Sequence, residues 1–493
     1  MLHCPARFGK LPALTTADSH AQTISPAGSA ARRRPRFWSL PLASFAGEIA
    51  AILLLTPVFL HAAAWNGFPF MFFDSGAYVL EGFAKVFVPE RSPVYSLFLR
   101  YVHGRENLWY AAYVQSFLTA ATVTEFARAL WPRTRLWKLV LVGVGLAFLT
   151  SIAWFVGQIE PDCMTPVLVL ALYPLAFRLE HVGWARAALL TAIAAFAVGA
   201  HPSHLALSAG LVLVLVLANL AAMVWRRLRL PRPNVALPAL SFAIGLGLVV
   251  SANYSLTHKR FVSHSGAIFL AARLMGDGVV GPTLDAICPA QKLALCPYKD
   301  RLPPTADYYL WAPDSPFNKL GRFYGDRRQY ETIVAESLKR YPLQSLAGGL
   351  WGSFRQFLMF RTGDGVEPQE WVLNPLFMAF MPRQYKPYLA ARQQRGVLRF
   401  PAVNVVHYPL ALFSQVWLGV VLWRAAKRRR WNMAALPAFV LAALIGNALV
   451  CGMFSGPHDR YQSRLAWVPT LVVLLTARQT LERALRRPVE SGT

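Results

Sequence analysis

The stretch LALSAGLVLVLVLANLAAMVWRRLRL, residues 205–230, decides how the chain folds. It opens with roughly 20 almost entirely apolar residues, which is enough for a helix to cross the hydrocarbon core of a bilayer. The run ends at Arg226, Arg227 and Arg229. Arginine clusters beside an apolar run mark the cytoplasmic side of a membrane. The stretch therefore predicts a membrane-spanning helix whose carboxyl end faces the cytoplasm.

The same pattern recurs along the chain of 493 residues, of which 55% are hydrophobic and 15% charged, with a mean hydropathy of +0.37. This is more apolar surface than one water-soluble core needs. We therefore predict an all-α polytopic membrane protein with about ten transmembrane helices and a mostly helical or irregular extracytoplasmic insertion. The predicted spans are centred near Leu53, Leu118, Val144, Leu168, Ala194, Leu213, Ile244, Gln415, Leu441 and Val472.

The net charge of +26 fits this interpretation rather than nucleic-acid binding. Proteins that bind nucleic acid carry basic groups on polar, soluble faces, whereas here they lie in short clusters between apolar runs. Every second connection is basic, so both termini are predicted to be cytoplasmic, in a multi-pass protein of the bacterial inner (cytoplasmic) membrane. The clusters are Arg32 to Arg36, Arg133 to Lys138, Arg178 with Arg186, Arg226 to Arg232, Lys427 to Arg430 and Arg483 to Arg487.

The apolar runs divide the chain into four parts. Residues 1–36 are rich in Ser, Thr, Ala and Pro and are predicted to form a disordered cytoplasmic tail. Residues 37–253 hold about seven predicted transmembrane helices, and residues 254–400 form an extracytoplasmic loop region. Residues 401–493 hold about three further transmembrane helices and a cytoplasmic tail.

Two features stand out in the long external region. Cys288 and Cys296 lie eight residues apart on the oxidising side of the membrane, and we predict that they form a disulfide. Residues 343–360 are apolar but contain Arg355 and three glycines. They could span the membrane or lie on it, and we favour an interfacial helix.

Acidic motifs occur in the first two predicted external connections. FFDSGAY places Asp74 behind an aromatic run that favours the headgroup layer, and GQIEPD places Glu160 and Asp162 around a proline. Carboxylates at such positions could act as an acid or a base. Alternatively, Asp74 caps a helix, and Glu160 and Asp162 stabilise a helix N-terminus. The sequence leaves both interpretations open.

The last predicted external connection is SGPHDRYQSRLAW, residues 455–467. Arginines are disfavoured on this side of a membrane, so Arg460 and Arg464 indicate a requirement such as an anion in the headgroup layer. Alternatively, these arginines, four residues apart on a helix, pair with Asp459 and with lipid headgroups. His458 precedes them beside a Gly-Pro turn.

Together, the motifs FFDSGAY, EPD and PHDRYQSR resemble those of the GT-C glycosyltransferases, which transfer sugars from polyprenyl-phosphate donors on the far side of the membrane. The resemblance covers most of the spans in outline and implies that residues 37–253 form a GT-C-like module. It implies transfer of a hexosyl or pentosyl group, with inversion, to an extracytoplasmic glycan, lipid or protein acceptor. Membrane lipids would be further partners, and nucleic acid would not.

The resemblance also implies roles for individual residues. Asp74 would be the catalytic base, Glu160 or Asp162 a possible second acid, and the late arginines a clamp for the donor phosphate. In this family the first external loop often holds paired acids, some of which bind metal, whereas here the next acid, Glu81, is seven residues away. This departure from the family pattern puts metal dependence in doubt, so a divalent metal is possible but no cofactor is certain. The expected substrate-binding residues are Tyr78, Arg91, His458, Arg460, Tyr461, Gln462 and Arg464.

A transporter or lipid flippase is the main alternative function. Such proteins carry ionisable residues or broken helices near the bilayer midplane. In this chain Glu48 and Glu125 lie toward the cytoplasmic ends of the first two predicted spans. A non-catalytic scaffold is a third interpretation and would need no external acids or arginines. Sugar transfer accounts for both groups and is the function we predict.

Overall fold

The computed structural model describes residues 42–103, 107–132 and 135–485, with side chains described from residue 45 to residue 476. Over these ranges the regular structure is helical, and strand-like pairing is limited to one isolated bridge between Phe70 and Gln158. The all-α prediction is therefore confirmed. The tail predicted for residues 1–36 and the last residues of the C-terminal tail, from 486 on, lie outside the described residues.

The helices fall into three groups along the chain. The first group is α1 (Leu42–Phe59), α2 (His61–Asn66), α3 (Phe73–Ala84), α4 (Pro93–His103), α5 (Leu108–Leu130), α6 (Leu136–Leu149), α7 (Ile152–Val156), α8 (Met164–Phe177), α9 (Leu179–Val182), α10 (Trp184–Ala200), α11 (Pro202–Val224) and α12 (Ala236–Thr257). Residues 258–399, which we call the insertion, hold α13 (Gly266–Gly276), α14 (Val280–Ile287), α15 (Ala306–Trp311), α16 (Pro316–Lys319), α17 (Arg327–Arg340), α18 (Pro342–Leu358), α19 (Glu370–Phe380) and α20 (Pro382–Ala390). The last group is α21 (Phe400–Lys427), α22 (Trp431–Phe454), α23 (Asp459–Ser463) and α24 (Trp467–Leu485). Short 3₁₀ helices lie at Pro161–Cys163, Arg226–Leu228, Cys296–Arg301 and Arg322–Tyr324.

Five helical segments of the described chain are long and apolar enough to cross a membrane: Phe45–Asn66, α11, α12, α21 and α22. Helices α13 and α14, which meet at 106°, would make a sixth if they formed one span. By length and composition these helices are consistent with a membrane protein, but the prediction of about ten spans is wrong by this measure. The apolar side chains of α13 and α14 pack into the core of the insertion, which argues against counting them as a span.

The count differs because several apolar runs form helices that are too short to span a bilayer or that carry too many polar side chains. The runs near Val144 and Ala194 form α6 with 14 residues and α10 with 17. At 1.5 Å per residue these helices are about 21 and 26 Å long, short of a hydrocarbon core of about 30 Å. Helix α6 stops at Thr150, where the backbone becomes extended. The run near Leu118 forms α5, which is 23 residues long but carries amide, hydroxyl and charged side chains.

The insertion has its own core between α13 and α17, whereas α18, α19 and α20 pack against the bundle. Cys288 and Cys296 are joined by a disulfide with their Cα atoms 5.8 Å apart. Helix α18 packs against α22 so closely that a Cβ added to Gly352 would lie 2.7 Å from the carbonyl oxygen of Gly452. Its opposite face exposes a stripe of large apolar side chains that includes Trp351. Most of residues 343–360 thus lie in the amphipathic helix α18, which ends at Leu358, and the place of this helix on the membrane remains a prediction.

The predicted external connections meet at one end of the bundle. The backbone N–H of Phe70 donates to the Gly157 carbonyl at 2.9 Å, and the N–H of Ile159 donates to the Phe70 carbonyl at 2.9 Å. These two bonds join the first connection to the second. The side chain of Gln356 accepts from the His458 N–H at 2.9 Å and so joins the insertion to the last connection. Residues from distant parts of the sequence therefore surround one space.

Candidate functional site

A cavity of about 1080 Å³ lies where these connections meet. Its walls come from the start of α3, the loop before α4, the start of α11, the insertion and the segment that follows α22. Small-molecule sites typically enclose about 300 to 1,000 Å³. The cavity is therefore large enough for two substrates that react with each other.

The start of α3 fixes the position of Asp74 on the cavity wall. Phe72 is the N-cap, and its backbone N–H donates to the Ser75 hydroxyl at 2.9 Å. The bridge at Phe70 holds the residues before the helix against the loop that contains Glu160. Asp74 does not cap α3, because Ser75 does so and the Asp74 carboxylate faces two arginines.

Asp74 is held between Arg91 and Arg460. Arg91 donates to Oδ1 of Asp74, and Arg460 Nη2 lies 3.1 Å from Oδ2. The other nitrogen of Arg460, Nη1, lies 3.4 Å from Oε2 of Glu160, and its guanidinium carbon is 4.0 Å from the centre of the Phe72 ring. Asp74, Arg91 and Arg460 all line the cavity, so this carboxylate and these two cations are available to a ligand.

Arg464 occupies a different environment from Arg460. Its side chain is 0% exposed, and Nη1 lies 2.5 Å from Oδ1 of Asp162. Nη2 donates to Asn447 at 3.0 Å and to Ser203 at 3.2 Å. Arg464 and Asp162 lie behind the cavity wall rather than on it. The structure therefore separates the two arginines that the sequence suggested as one phosphate clamp.

The remaining predicted substrate-binding residues divide in the same way. Tyr461 and His458 line the cavity, and the Tyr461 ring centre lies 4.9 Å from the Arg460 guanidinium. Tyr78 is buried, with its ring centre 4.9 Å from that of Tyr95. Gln462 is also buried and accepts a hydrogen bond of 2.8 Å from Asn447. Tyr78 and Gln462 thus support the wall without reaching its surface.

His458 connects the last motif to the insertion. Its Nε2 lies 3.2 Å from Asp307 Oδ1, and its Nδ1 lies 3.8 Å from Asp364 Oδ2. Burial alone would lower the pKa of His458, but the hydrogen bond and charge of Asp307 raise it above its usual value. Asp364 also accepts from the backbone N–H of Arg460 at 3.1 Å. The insertion therefore positions the segment that carries Arg460.

The ionisable groups at and behind the wall form what we call the charge cluster: Asp74, Glu160, Asp162, Arg91, Arg460 and Arg464. Burial and then the charge of Asp74 raise the pKa of Glu160 well above its usual range, despite Arg460. Burial would also raise the pKa of Asp162, but Arg464 and Arg460 outweigh it and lower the pKa. The charge cluster thus places three guanidinium groups against three carboxyl groups, and Arg91 and Arg460 are its cations that reach the cavity.

Four acids of the insertion line the cavity, Asp307, Glu331, Asp364 and Glu367, and none was among the residues predicted for the site. Asp364 lies in the segment RTGDGVE, where flanking glycines indicate a tight turn. Gly365 has a φ of +73°, and a Cβ there would lie 1.7 Å from the Phe72 ring. The turn therefore packs directly against Phe72, whose ring stacks on Arg460. In the sequence, the two glycines that flank Asp364 indicate the turn, but no pattern indicates that this turn lies near Asp74.

Metal binding was left open by the sequence. Across the described ranges, no group of three or more His, Cys, Asp or Glu side chains is arranged to hold a metal ion. Glu81, the acid nearest to Asp74 in the first loop, is buried and accepts from the Ser96 hydroxyl at 2.6 Å and the Val88 N–H at 3.1 Å. Glu81 therefore does not pair with Asp74.

The chain was also compared with known proteins. No protein family, curated protein or solved structure matches it. Its function is therefore inferred from the groups that surround the cavity.

Proposed function

We propose that the chain is an integral membrane glycosyltransferase that transfers a sugar from a polyprenyl-phosphate donor to an extracytoplasmic acceptor, with inversion. The observation that carries this proposal is that Asp74 and Arg460, 386 residues apart in sequence, meet on the wall of one cavity. Sugar transfer from a phosphate needs a base for the acceptor hydroxyl and a cation for the departing phosphate. A carboxylate and a guanidinium at one cavity supply both.

The position of the cavity supports a donor that is anchored in lipid. Leu205 of α11, Val249 of α12 and Val450 of α22 line it, and these three helices are among the candidate spans. A donor whose polyprenyl chain stays in the bilayer could present its phosphate to Arg91 and Arg460 from this side. Charge-assisted hydrogen bonds from these two guanidinium groups would hold the phosphate.

The paired state of Asp74 suggests an order of events. A donor phosphate would compete with Asp74 for Arg460, because guanidinium groups bind phosphate through two parallel hydrogen bonds. Asp74 Oδ2 would then be free to take the proton of the acceptor hydroxyl, while Arg91 still holds Oδ1. The acceptor oxygen forms a bond to the anomeric carbon as the bond from that carbon to the phosphate oxygen breaks. The electron pair leaves with the phosphate, and the proton remains on Asp74.

The proposal is tested with the full chain in lipid nanodiscs and a panel of polyprenyl-phosphate-linked hexoses and pentoses. We expect Asp74→Asn to lower kcat at least about 100-fold while donor binding persists. Arg460→Gln should weaken donor binding at least about tenfold, because one partner of a charge-assisted contact is lost. Asp300→Asn, an exposed acid of the insertion, is the matched control. Wild-type activity in both site variants would exclude the mechanism.

The alternative is movement of an ion or lipid without sugar transfer. The observation in its favour is a second buried ionic group between α1, α5 and α10, away from the cavity. Arg128 Nε lies 3.0 Å from Glu48 Oε1, and Arg186 Nη1 lies 3.2 Å from Glu125 Oε2. These charges are paired with one another, which also suits a structural role. Ion-coupled flux or lipid movement in proteoliposomes, with no product from any donor, would favour this alternative.

A further inference from the structure

Three aromatic side chains from separate parts of the chain converge beside Asp74. We call them the aromatic wall: Phe73 at the start of α3, Trp311 at the end of α15 and Trp371 in α19. The Phe73 ring centre lies 5.8 Å from that of Trp311 and 5.5 Å from that of Trp371. The interplanar angles are 65° and 50°, so the rings meet edge to face or tilted. The three rings therefore do not stack face to face.

Two side chains of the aromatic wall leave apolar surface exposed at the cavity. Trp371 is 76% exposed and Trp311 is 36% exposed, although both lie at the cavity. Leaving a tryptophan ring in water forgoes a large hydrophobic gain. Exposed apolar surface at a concave site is typical of a surface that a ligand covers. The aromatic wall thus has the properties of a ligand-binding surface.

Polar groups on the same cavity narrow the chemistry of that ligand. Asp307, Asp364, Glu367 and Gln369 line the cavity together with the aromatic wall. Carboxylates and amides accept hydrogen bonds from hydroxyl groups. A sugar ring has an apolar face of C–H groups and an edge of hydroxyls, so it can cover an aromatic ring and donate to carboxylates at the same time.

We infer that the acceptor is a glycan and that its terminal sugar ring lies on the aromatic wall. This inference rests on the proposed function and specifies its acceptor. Phe73 directly precedes Asp74 and both line the cavity, so a sugar on the wall would lie near the proposed base. The aromatic wall would thus hold the nucleophile, while Arg91 and Arg460 hold the donor phosphate.

Lipid contact is the competing explanation for exposed tryptophans, since these rings favour the membrane interface. The outer face of α18 shows what such a surface looks like in this protein. There Leu343, Leu350, Trp351 and Phe354 are exposed together on one helix face. The aromatic wall differs because acids and amides line the same cavity. This combination favours a sugar over an alkyl chain.

The first test measures transfer to defined acceptors. Maltohexaose, mannohexaose and arabinohexaose are compared with a lipid alcohol and a serine-containing peptide, using the donor that the wild type accepts. We expect transfer to at least one oligosaccharide, and a rise of about tenfold or more in the acceptor KM of Trp371→Ala. The donor KM should not change. Trp351→Ala, which removes a tryptophan that is 60% exposed on α18, is the matched control and should behave as wild type.

The second test measures glycan binding without turnover, so that its result does not depend on the proposed transfer activity. Saturation-transfer NMR on nanodiscs should show ring-proton signals for an oligosaccharide with wild type and with Asp74→Asn. The signals should be lost in Trp371→Ala and kept in Trp351→Ala. If these NMR signals are seen but no sugar transfer occurs, the proposed glycosyltransferase activity is overturned and the aromatic wall is only a glycan-binding surface. Transfer confined to the lipid or peptide, or equal oligosaccharide signals in Trp371→Ala and wild type, would overturn the glycan inference.

Discussion

Arg464 and Asp162 form a buried ion pair whose loss should unfold the protein rather than weaken donor binding. The change is Arg464→Met, which keeps most of the side-chain volume and removes the charge. In the structure Arg464 is 0% exposed and lies 2.5 Å from Asp162, which is itself buried. Removing one partner of such a pair leaves an uncompensated charge and typically costs about 3–5 kcal/mol. The lost hydrogen bonds to Asn447 and Ser203 add to this destabilisation.

Thermal unfolding in detergent, followed by the folded fraction on size-exclusion chromatography, measures the effect. Arg464→Met should lower the apparent unfolding temperature strongly. Asp162→Asn in the same chain should restore part of the loss, because it removes the unpaired charge, with a coupling of about 2 kcal/mol or more. Arg355→Met, an exposed arginine on α18, is the matched control and should stay within about 0.5 kcal/mol of wild type. The reasoning would be refuted if Arg464→Met folded with wild-type stability and lost donor binding.

Three further results are expected. Burial raises the pKa of Glu81 to about 7, so folding favours the protonated carboxyl. The contribution of this protonation to the free energy of unfolding is complete below about pH 4.5 and is lost as the pH rises through 7. Glu81→Gln should therefore be more stable than wild type at pH 8, by up to about 3 kcal/mol, and should lose that advantage near pH 5. Reduction of the Cys288–Cys296 disulfide should destabilise the insertion by about 2–3 kcal/mol, measured as faster proteolysis within it. A cysteine at Lys339 should react with an impermeant maleimide from outside intact cells and one at Arg429 should not; the opposite labelling would reverse the predicted orientation.

The sequence predicted the architecture where local pattern controls structure. Helices α11, α12, α21 and α22 coincide with apolar runs bounded by arginines, and their lengths follow from composition. The run near Val144 was misjudged, because hydropathy does not register the break at Thr150 that ends α6. Apolar composition measures transfer into an apolar environment, but the interior of a bundle provides that environment as well as lipid does.

The candidate site was predicted in part. Asp74 and Arg460 were singled out by their position beside apolar runs and Arg91 by the family resemblance, and all three line the cavity. The different positions of Arg460, on the cavity wall, and Arg464, behind it, were not predicted, because two residues four apart on a helix lie on the same side of it. Helix α23 ends at Ser463, and the chain turns Arg464 inward toward Asp162. Such pairings depend on contacts between distant segments, which periodicity does not encode.

The separation of partners along the chain has a consequence for synthesis. Asp74 meets Arg91 17 residues later, whereas Asp162 meets Arg464 only 302 residues later. At about 5 to 20 residues per second, the ribosome takes about 15 to 60 s to supply that partner. During this interval Asp162 has to stay hydrated or protonated at the edge of the growing bundle. A chain that lacks residues 464–493 never receives the cation, so its early helices keep a carboxylate that they cannot bury.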